Sequence, residues 1–282
     1  MAKSASKLPN IKLPSLKGNY NIVLYIILIV AAFLIGSLWT KVTYLEKTAG
    51  TTATAPTENT NNDQAGQQQP AQIKVNINQI KDLFKKDLIK FGDANRKVLF
   101  VEIADPSCPF CQVAAGKNPE LNKQMGENFI LKSDGGPYIA PVEEMRKLVD
   151  EGKASFVYIY QNGHGAGEMA TKAMYCAYDQ GKFWQAHDKL MTNDGYNLIN
   201  NDVKNDKANA GKLADFLAGS LDSTSLKSCL ESGKYDEVLK TDIQIASSLG
   251  VNGTPGFFIN ETNFAGAYNW TDMEAVATAA LK

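Results

Sequence analysis

The feature that most restricts the possible folds is a pair of cysteines, Cys108 and Cys111, with Pro109 and Phe110 between them. The pair directly follows residues 97–103 (KVLFVEI), whose apolar and β-branched side chains are typical of a buried strand. Proline suits the first turn of a helix, where its missing N–H is not needed. The pattern therefore predicts a strand that passes through a short turn into a helix, with Cys108 at the helix start.

Two cysteines at this spacing can form a disulfide without rearranging the backbone. At a helix start, free N–H groups and the helix dipole would stabilise a thiolate on Cys108, and such thiols have pKa values of about 3.5–7.5. We therefore predict catalytic roles for both residues, with Cys108 as the nucleophile and Cys111 as the shielded resolving thiol. A static disulfide or half of a metal site is the alternative.

Composition argues against a metal site and against nucleic acid as a partner. The chain has four cysteines and two histidines, and neither histidine lies beside a cysteine, whereas a structural zinc site needs four ligands. The 29 basic and 30 acidic residues give a formal net charge of −1, which does not indicate nucleic-acid binding. We predict no bound metal and no cofactor other than the redox-active Cys108–Cys111 disulfide.

The N-terminal residues predict a membrane anchor. Residues 1–20 carry four lysines and no acidic residue, and residues 22–39 form an apolar run of 18 residues, roughly 27 Å of helix. We predict a transmembrane helix over 21–40, with the basic tail in the cytoplasm and the remainder outside the cell membrane. A cleaved signal peptide is the alternative, but no small-residue cleavage site follows the run.

The residues after this helix separate the anchor from a folded domain. Residues 48–72 are mostly small and polar, so we predict a disordered linker over 41–72 and a domain over 73–282. Hydrophobic periodicity predicts a strand at 73–76, a helix at 77–91, strands at 97–103, 154–160 and 256–259, and helices throughout about 165–249. This order predicts a mixed α/β sheet with a helical insertion.

Around these motifs the chain resembles the DsbA-type thiol–disulfide oxidoreductases, a branch of the thioredoxin-like superfamily. The resemblance extends over residues 73–282 and is carried by VEIADPSCPFC (101–111), MYCAYDQGKFWQAHDKLM (174–191), SCLESGKY (228–235) and LGVNGTPGFFIN (249–260). It implies a thioredoxin-like fold with an inserted helical subdomain. Cys108 matches the nucleophile of this family and Cys111 its resolving cysteine.

The resemblance also identifies a second loop. Thr254 and Pro255 match the pair that faces the active site in this family, where a cis-proline loop pairs with bound peptide in the manner of a strand. We predict substrate-binding roles for Thr254, Pro255, Pro109 and Phe110. An ordinary turn over residues 253–256 is the alternative.

Three other residues stand out. Glu102 interrupts an apolar strand, six residues before Cys108, where family members carry a buried acid. If buried, its carboxyl group would have a raised pKa and could relay protons to and from Cys111; an edge-strand glutamate facing water is the alternative. Cys176 and Cys229 fall in the helical insertion, and outside the cytoplasm they are expected to form a structural disulfide rather than remain free thiols.

We expect the chain to introduce disulfides into exported proteins that carry free thiols. The resemblance implies reoxidation by a quinone-linked membrane protein of the DsbB or VKOR type. The family prototype has Pro-His between its cysteines, whereas the ring of Phe110 cannot hydrogen-bond a thiolate. An isomerase or reductase therefore remains an alternative, and a non-catalytic, membrane-tethered binding or chaperone module is a second.

Overall fold

The computed structural model describes residues 74–282. The predicted cytoplasmic tail, transmembrane helix and linker, which cover residues 1–72, lie outside the described residues. Within 74–282, no helix is both long enough and apolar enough to cross a membrane.

Five strands form one mixed sheet at the centre of the domain. They are β1 (Ile89–Phe91), β2 (Val98–Ala104), β3 (Ala154–Tyr160), β4 (Gly256–Ile259) and β5 (Thr262–Ala265). Their order is β1-β3-β2-β4-β5, and β2 pairs in parallel with β3 while the other pairs are antiparallel. The strand that leads to the cysteines is therefore the central one.

Helices cover both faces of this sheet. In chain order they are α1 (Ile77–Leu83), α2 (Pro109–Ala115), α3 (Pro119–Gln124), α4 (Pro141–Asp150), α5 (Glu168–Asp179), α6 (Phe183–Leu190), α7 (Asn193–Asn197), α8 (Ala210–Leu217), α9 (Ser223–Ser232), α10 (Asp236–Ser248) and α11 (Trp270–Leu281). A π-helical segment, Leu198–Val203, follows α7. The block from α5 to α10 lies between β3 and β4, which confirms the predicted helical insertion.

Successive side chains of β2 point to opposite faces of the sheet, and the core accordingly has two layers. Phe100 and Ala104 belong to a large apolar cluster that also contains both redox cysteines. Leu99, Val101 and Ile103 point to the opposite face and pack in a second cluster with residues of α1 and α10. The cysteines therefore lie on one defined face of the central strand.

The structure differs from the prediction over residues 74–91: the first predicted strand is absent there, and the helix that follows is shorter than predicted. Asn76 caps α1 through a capping box with Gln79, so residues 74–76 lead into a helix and form no strand. The helix ends at Leu83, and residues 89–91, predicted as its last turn, form edge strand β1 against β3. Lys90 closes the intervening turn by donating to the carbonyl groups of residues 84 and 86.

A disulfide crosslinks the helical insertion. Cys176 in α5 and Cys229 in α9 are bonded, with a sulfur–sulfur distance of 2.00 Å, although they lie 53 positions apart in sequence. The bond predicted from the sequence is therefore present, and it joins two helices that also pack together through Leu226 and Leu230 in the large apolar cluster.

Candidate functional site

The two remaining cysteines lie at the junction between β2 and α2. Cys108 is the N-cap residue of α2 and Pro109 is the first helical residue, so the predicted helix start is correct. The Cys108 N–H donates to the carbonyl oxygen of Asp105 at 2.9 Å, which closes the turn after the strand. Cys108 retains 6% of its surface, Cys111 is fully buried, and both are free thiols in the described part of the chain.

The surroundings shift the pKa values of the two thiols in opposite directions. The pKa of Cys108 is lowered from 9.0 to about 6, chiefly because the Cys111 side chain hydrogen-bonds it, with further help from Thr254 and from backbone N–H groups at the helix start. The pKa of Cys111 is raised well above its usual value, first by burial and then by the neighbouring Cys108. At neutral pH the negative charge therefore resides on Cys108 and the proton on Cys111.

A loop distant in sequence completes the site. The peptide bond between Thr254 and Pro255 is cis. The Cys108 sulfur lies 3.4 Å from the Thr254 carbonyl oxygen, to which it donates as a thiol. The Thr254 hydroxyl has no hydrogen-bond partner among residues 74–282, and it lies close enough to both sulfurs to lower the pKa of each. The fold thus joins the two segments that the sequence singled out separately.

Phe110, between the two cysteines, belongs to a row of aromatic side chains beside the site. Its side chain is 40% exposed, and its ring makes an edge contact with Phe129 at a centroid distance of 5.9 Å. Phe129 in turn contacts Tyr138 at 5.5 Å. The segment that carries Phe129 and Tyr138 therefore forms one rim of the site through these aromatic contacts.

Glu102 lies inside the core instead of facing water. It is fully buried on the central strand, so the edge-strand alternative does not hold. By strand alternation its side chain leaves β2 on the same face as Phe100 and Ala104, the face that carries the cysteines. Neither carboxyl oxygen has a hydrogen-bond partner within the described residues, and burial raises the pKa of Glu102 from 4.5 to about 8.

Asp105 is a residue of the site that sequence reasoning missed. It is fully buried, and one carboxylate oxygen accepts from the N–H and hydroxyl of Ser107 at 2.8 and 2.6 Å. The other accepts from the N–H groups of Gly163 and His164, both at 2.9 Å. The Asp105 N–H donates to the Cys111 sulfur at 3.4 Å. Its sequence context signalled only a turn, because its loop partners lie 58 and 59 positions away in the sequence.

The loop that Asp105 holds is packed too tightly to accept side chains at two glycines. A β-carbon on Gly163 would lie 1.7 Å from the Thr254 hydroxyl oxygen, and one on Gly167 would lie 1.8 Å from Asp105 Oδ1. The loop after β3 is therefore wedged between the Asp105 carboxylate and the cis-proline loop, and it supports the position of Thr254.

A protein-family model described as "Thioredoxin" matches residues 141–278, just under half of the chain. The matched range includes Thr254 and Pro255 but starts after the two redox cysteines. A crystal structure of oxidised BdbD from Bacillus subtilis superposes with a TM-score of 0.51 at 16% identity, covering 69% of this chain and 92% of that one. The chain contains a thioredoxin-like domain.

The other comparisons agree with the fold of this thioredoxin-like domain. A variant of alpha-DsbA1 from Wolbachia pipientis superposes with a TM-score of 0.53 at 16% identity, covering 73% of this chain and 96% of that one. A DsbA protein is thus among the solved structures whose fold this domain resembles.

Curated relatives share sequence with this chain over a small part of their own length. They include "Na(+)/H(+) antiporter NhaA 3" from Salinispora tropica, 25% identical over 193 residues, and "Na(+)/H(+) antiporter NhaA 1" from Salinispora arenicola, 28% identical over 197 residues. Each match covers 67% of this chain, and the chain spans 24% of the length of these relatives.

Proposed function

We propose that this chain is a membrane-anchored, extracytoplasmic thiol–disulfide oxidoreductase that introduces disulfides into exported proteins. The observation that carries the proposal is the opposed acidity of two adjacent thiols beside a cis-proline loop: Cys108 with its pKa lowered to about 6 and Cys111 with its pKa raised. A thiolate stabilised in the reduced protein makes the corresponding disulfide a stronger oxidant.

The proposed reaction starts from the oxidised Cys108–Cys111 pair. A substrate thiolate attacks the Cys108 sulfur, the bond to Cys111 breaks, and Cys111 leaves with the electron pair and acquires a proton. A second substrate thiolate then attacks the substrate sulfur of this mixed disulfide, and Cys108 leaves as a thiolate. The substrate gains a disulfide and the enzyme retains two electrons as a dithiol.

Three features of the site support this sequence of steps. Cys108 is the sulfur with residual exposure, so it is the one that a substrate can reach. Glu102, with its pKa raised to about 8, is protonated at neutral pH and supplies the proton that Cys111 requires as it leaves. Cys108 lies against the cis-proline loop and two residues before the exposed Phe110, and these two elements would hold the substrate peptide.

The electrons are proposed to pass to a quinone-linked membrane oxidase of the DsbB or VKOR type. The apolar run at 22–39 and the lysines before it support a membrane location for this chain, within reach of a membrane oxidase. In cells depleted of quinone, we expect the Cys108–Cys111 pair to accumulate as the dithiol. Added protease should cleave the domain in intact spheroplasts. A pair that stays oxidised without quinone, or a protected domain, would contradict this assignment.

The direction of the reaction is tested by the reduction potential of the Cys108–Cys111 pair, measured in the full chain by equilibration with glutathione. A value near about −120 mV supports the oxidase, and a value near about −270 mV would show a reductase. The matched control replaces Cys176 and Cys229 with alanine, which leaves the redox pair as the only cysteines. That variant should oxidise a reduced, unfolded substrate protein, and Cys108→Ser should not.

A further inference from the structure

We propose that Asn200 holds the peptide group in front of Cys108 and thereby positions the nucleophilic sulfur, an inference that rests on the function proposed above. Asn200 belongs to the helical insertion and acts on Cys108 through the backbone, so it is a positioning residue and not a catalytic one. Its two hydrogen bonds join the insertion to the turn between β2 and α2.

One side-chain amide makes both of these contacts. The Asn200 Nδ2 group donates to the carbonyl oxygen of Ser107 at 3.3 Å and to the carbonyl oxygen of Tyr196 at 3.0 Å. Ser107 lies 93 positions earlier in the sequence and directly precedes Cys108, whereas Tyr196 belongs to α7. Since an amide group carries two donor hydrogens, both are used. A single side chain therefore ties α7 to the turn that carries the nucleophile.

The peptide group between Ser107 and Cys108 is held at both of its ends. Its N–H donates to the carbonyl oxygen of Asp105 at 2.9 Å, and its C=O accepts from Asn200. A trans peptide group is planar, with its N–H and C=O on opposite sides, so two such hydrogen bonds fix its rotation. Ser107 is fully buried, and within residues 74–282 no other donor reaches its carbonyl oxygen. Asn200 alone therefore holds this end of the group there.

The orientation of this peptide group decides where the Cys108 sulfur points. Cys108 is the N-cap residue of α2, with an extended backbone at φ −77° and ψ 126°. The Cys111 side chain is the largest cause that lowers the pKa of Cys108, and the Thr254 side chain and the N–H groups of Phe110 and Cys111 add to it. Rotating the peptide group would change φ of Cys108 and turn its sulfur away from these partners.

Two further features show that the insertion approaches the site at this point. Asn200 lies in the π-helical segment Leu198–Val203, and π-helical turns are rare and occur frequently at functional sites. Tyr196, whose carbonyl group shares the Asn200 amide, has a pKa raised first by burial and then by the charge on Cys108. The insertion therefore comes near the reacting sulfur where Asn200 holds the turn.

The test compares full-length Asn200→Leu with the unmodified chain, both with Cys108 and Cys111 reduced and the Cys176–Cys229 bond intact. The rate of alkylation of Cys108 by iodoacetamide is measured from pH 4 to 10. The loss of one hydrogen bond corresponds to about one pKa unit, so the midpoint should rise from near 6 by about that amount. The variant should then react about fivefold more slowly at pH 6 and at an unchanged rate at pH 9.

The redox equilibrium gives an independent measurement. A less stabilised thiolate makes the disulfide a weaker oxidant, so the equilibrium constant for oxidising glutathione at pH 7 should fall about fivefold in Asn200→Leu. Asn200→Ala removes the same donor without adding bulk at a half-buried position. It should therefore fold and give both changes.

Asn122→Leu is the matched control. The Asn122 Nδ2 group also bridges two carbonyl groups, those of Val113 and Phe129 at 3.4 and 3.0 Å, but towards the other end of α2. Its loss should lower the free energy of unfolding in urea and leave the midpoint of Cys108 alkylation near 6. A control that moves the midpoint as far as Asn200→Leu would show that any lost link to α2 has this effect, and would overturn the positioning role.

The outcomes separate this positioning role from the proposed function. If both Asn200 variants keep the alkylation midpoint and the glutathione equilibrium of the unmodified chain, the inference is overturned and the exchange reaction remains in place. An unmodified chain whose Cys108 is alkylated with a midpoint near 9.0, the ordinary pKa of a cysteine, would refute the proposed function and this inference with it.

Discussion

Replacing Glu102 with glutamine should stabilise the domain, and the gain should grow with pH. The pKa of Glu102 is about 8 in the fold and 4.5 when exposed. Between these two pH values the folded chain retains a proton that the unfolded chain has released, so stability falls as pH rises. Because the carboxyl group is fully buried, solvent screening does not reduce the effect. Glutamine has a similar size and does not titrate, so it removes this pH-dependent cost.

The size of the effect follows from the difference of 3.5 between the two pKa values. Each pKa unit corresponds to about 1.4 kcal/mol, so Glu102→Gln should gain about 5 kcal/mol above pH 8, relative to its effect at acidic pH. At pH 7 the gain should be roughly 3 kcal/mol, and near pH 4.5 it should vanish. These values are of the order of the whole stability of many domains, so the change should be easy to measure.

The assay is urea unfolding of the full chain at several pH values between 5 and 8, with Cys108 and Cys111 oxidised and tryptophan fluorescence as the signal. The difference between variant and unmodified chain cancels contributions that both share, such as Asp242, whose pKa burial raises to about 7. A difference that stays constant across this pH range would show that Glu102 is ionised normally in the fold and would refute its role as a proton donor.

Three further variants test other parts of the structure. Gly163→Ala would place a carbon 1.7 Å from the Thr254 hydroxyl and should displace Thr254, whose side chain helps to lower the pKa of Cys108. The midpoint of the pH profile for alkylation of Cys108 should therefore move from near 6 to higher pH, and an unchanged midpoint would show that this loop does not support Thr254. Replacing Cys176 and Cys229 together with alanine should lower the free energy of unfolding by about 4 kcal/mol, measured with urea, and a loss below about 1 kcal/mol would show that the crosslink contributes little. Phe129→Ala should slow thiol–disulfide exchange with a peptide that has an aromatic residue beside its cysteine by about threefold to tenfold. Exchange with a small dithiol should keep its rate, and equal effects on both substrates would exclude a contact between Phe129 and the peptide.

The redox motif and the order of the main elements were predictable from local patterns. The strand before Cys108, Pro109 at the first helical position and the helical block between β3 and β4 each follow from spacing and residue type. The burial of Glu102 was expected from its place in an apolar strand, which the central position of β2 explains.

What the sequence did not predict depends on contacts between distant segments. Residues 77–91 have apolar side chains at helical spacing, but an edge of the sheet was available to residues 89–91, and pairing with β3 outweighed continuation of the helix. Asp105 gave only a turn signal, because its partners come from the loop after β3. Strand β3 (ASFVYIY) is buried on both faces, so its sequence could not show which of its residues share a face with the cysteines.

The close approach of Gly167 to the Asp105 carboxylate restricts how chains of this kind can diverge. Since a methyl group at position 167 would come within 1.8 Å of the carboxylate oxygen, position 167 can gain a side chain only where position 105 has become smaller or the loop has changed course. The two positions should therefore vary together among homologues. A substitution at one of them that is harmful alone should become tolerable once the other has changed.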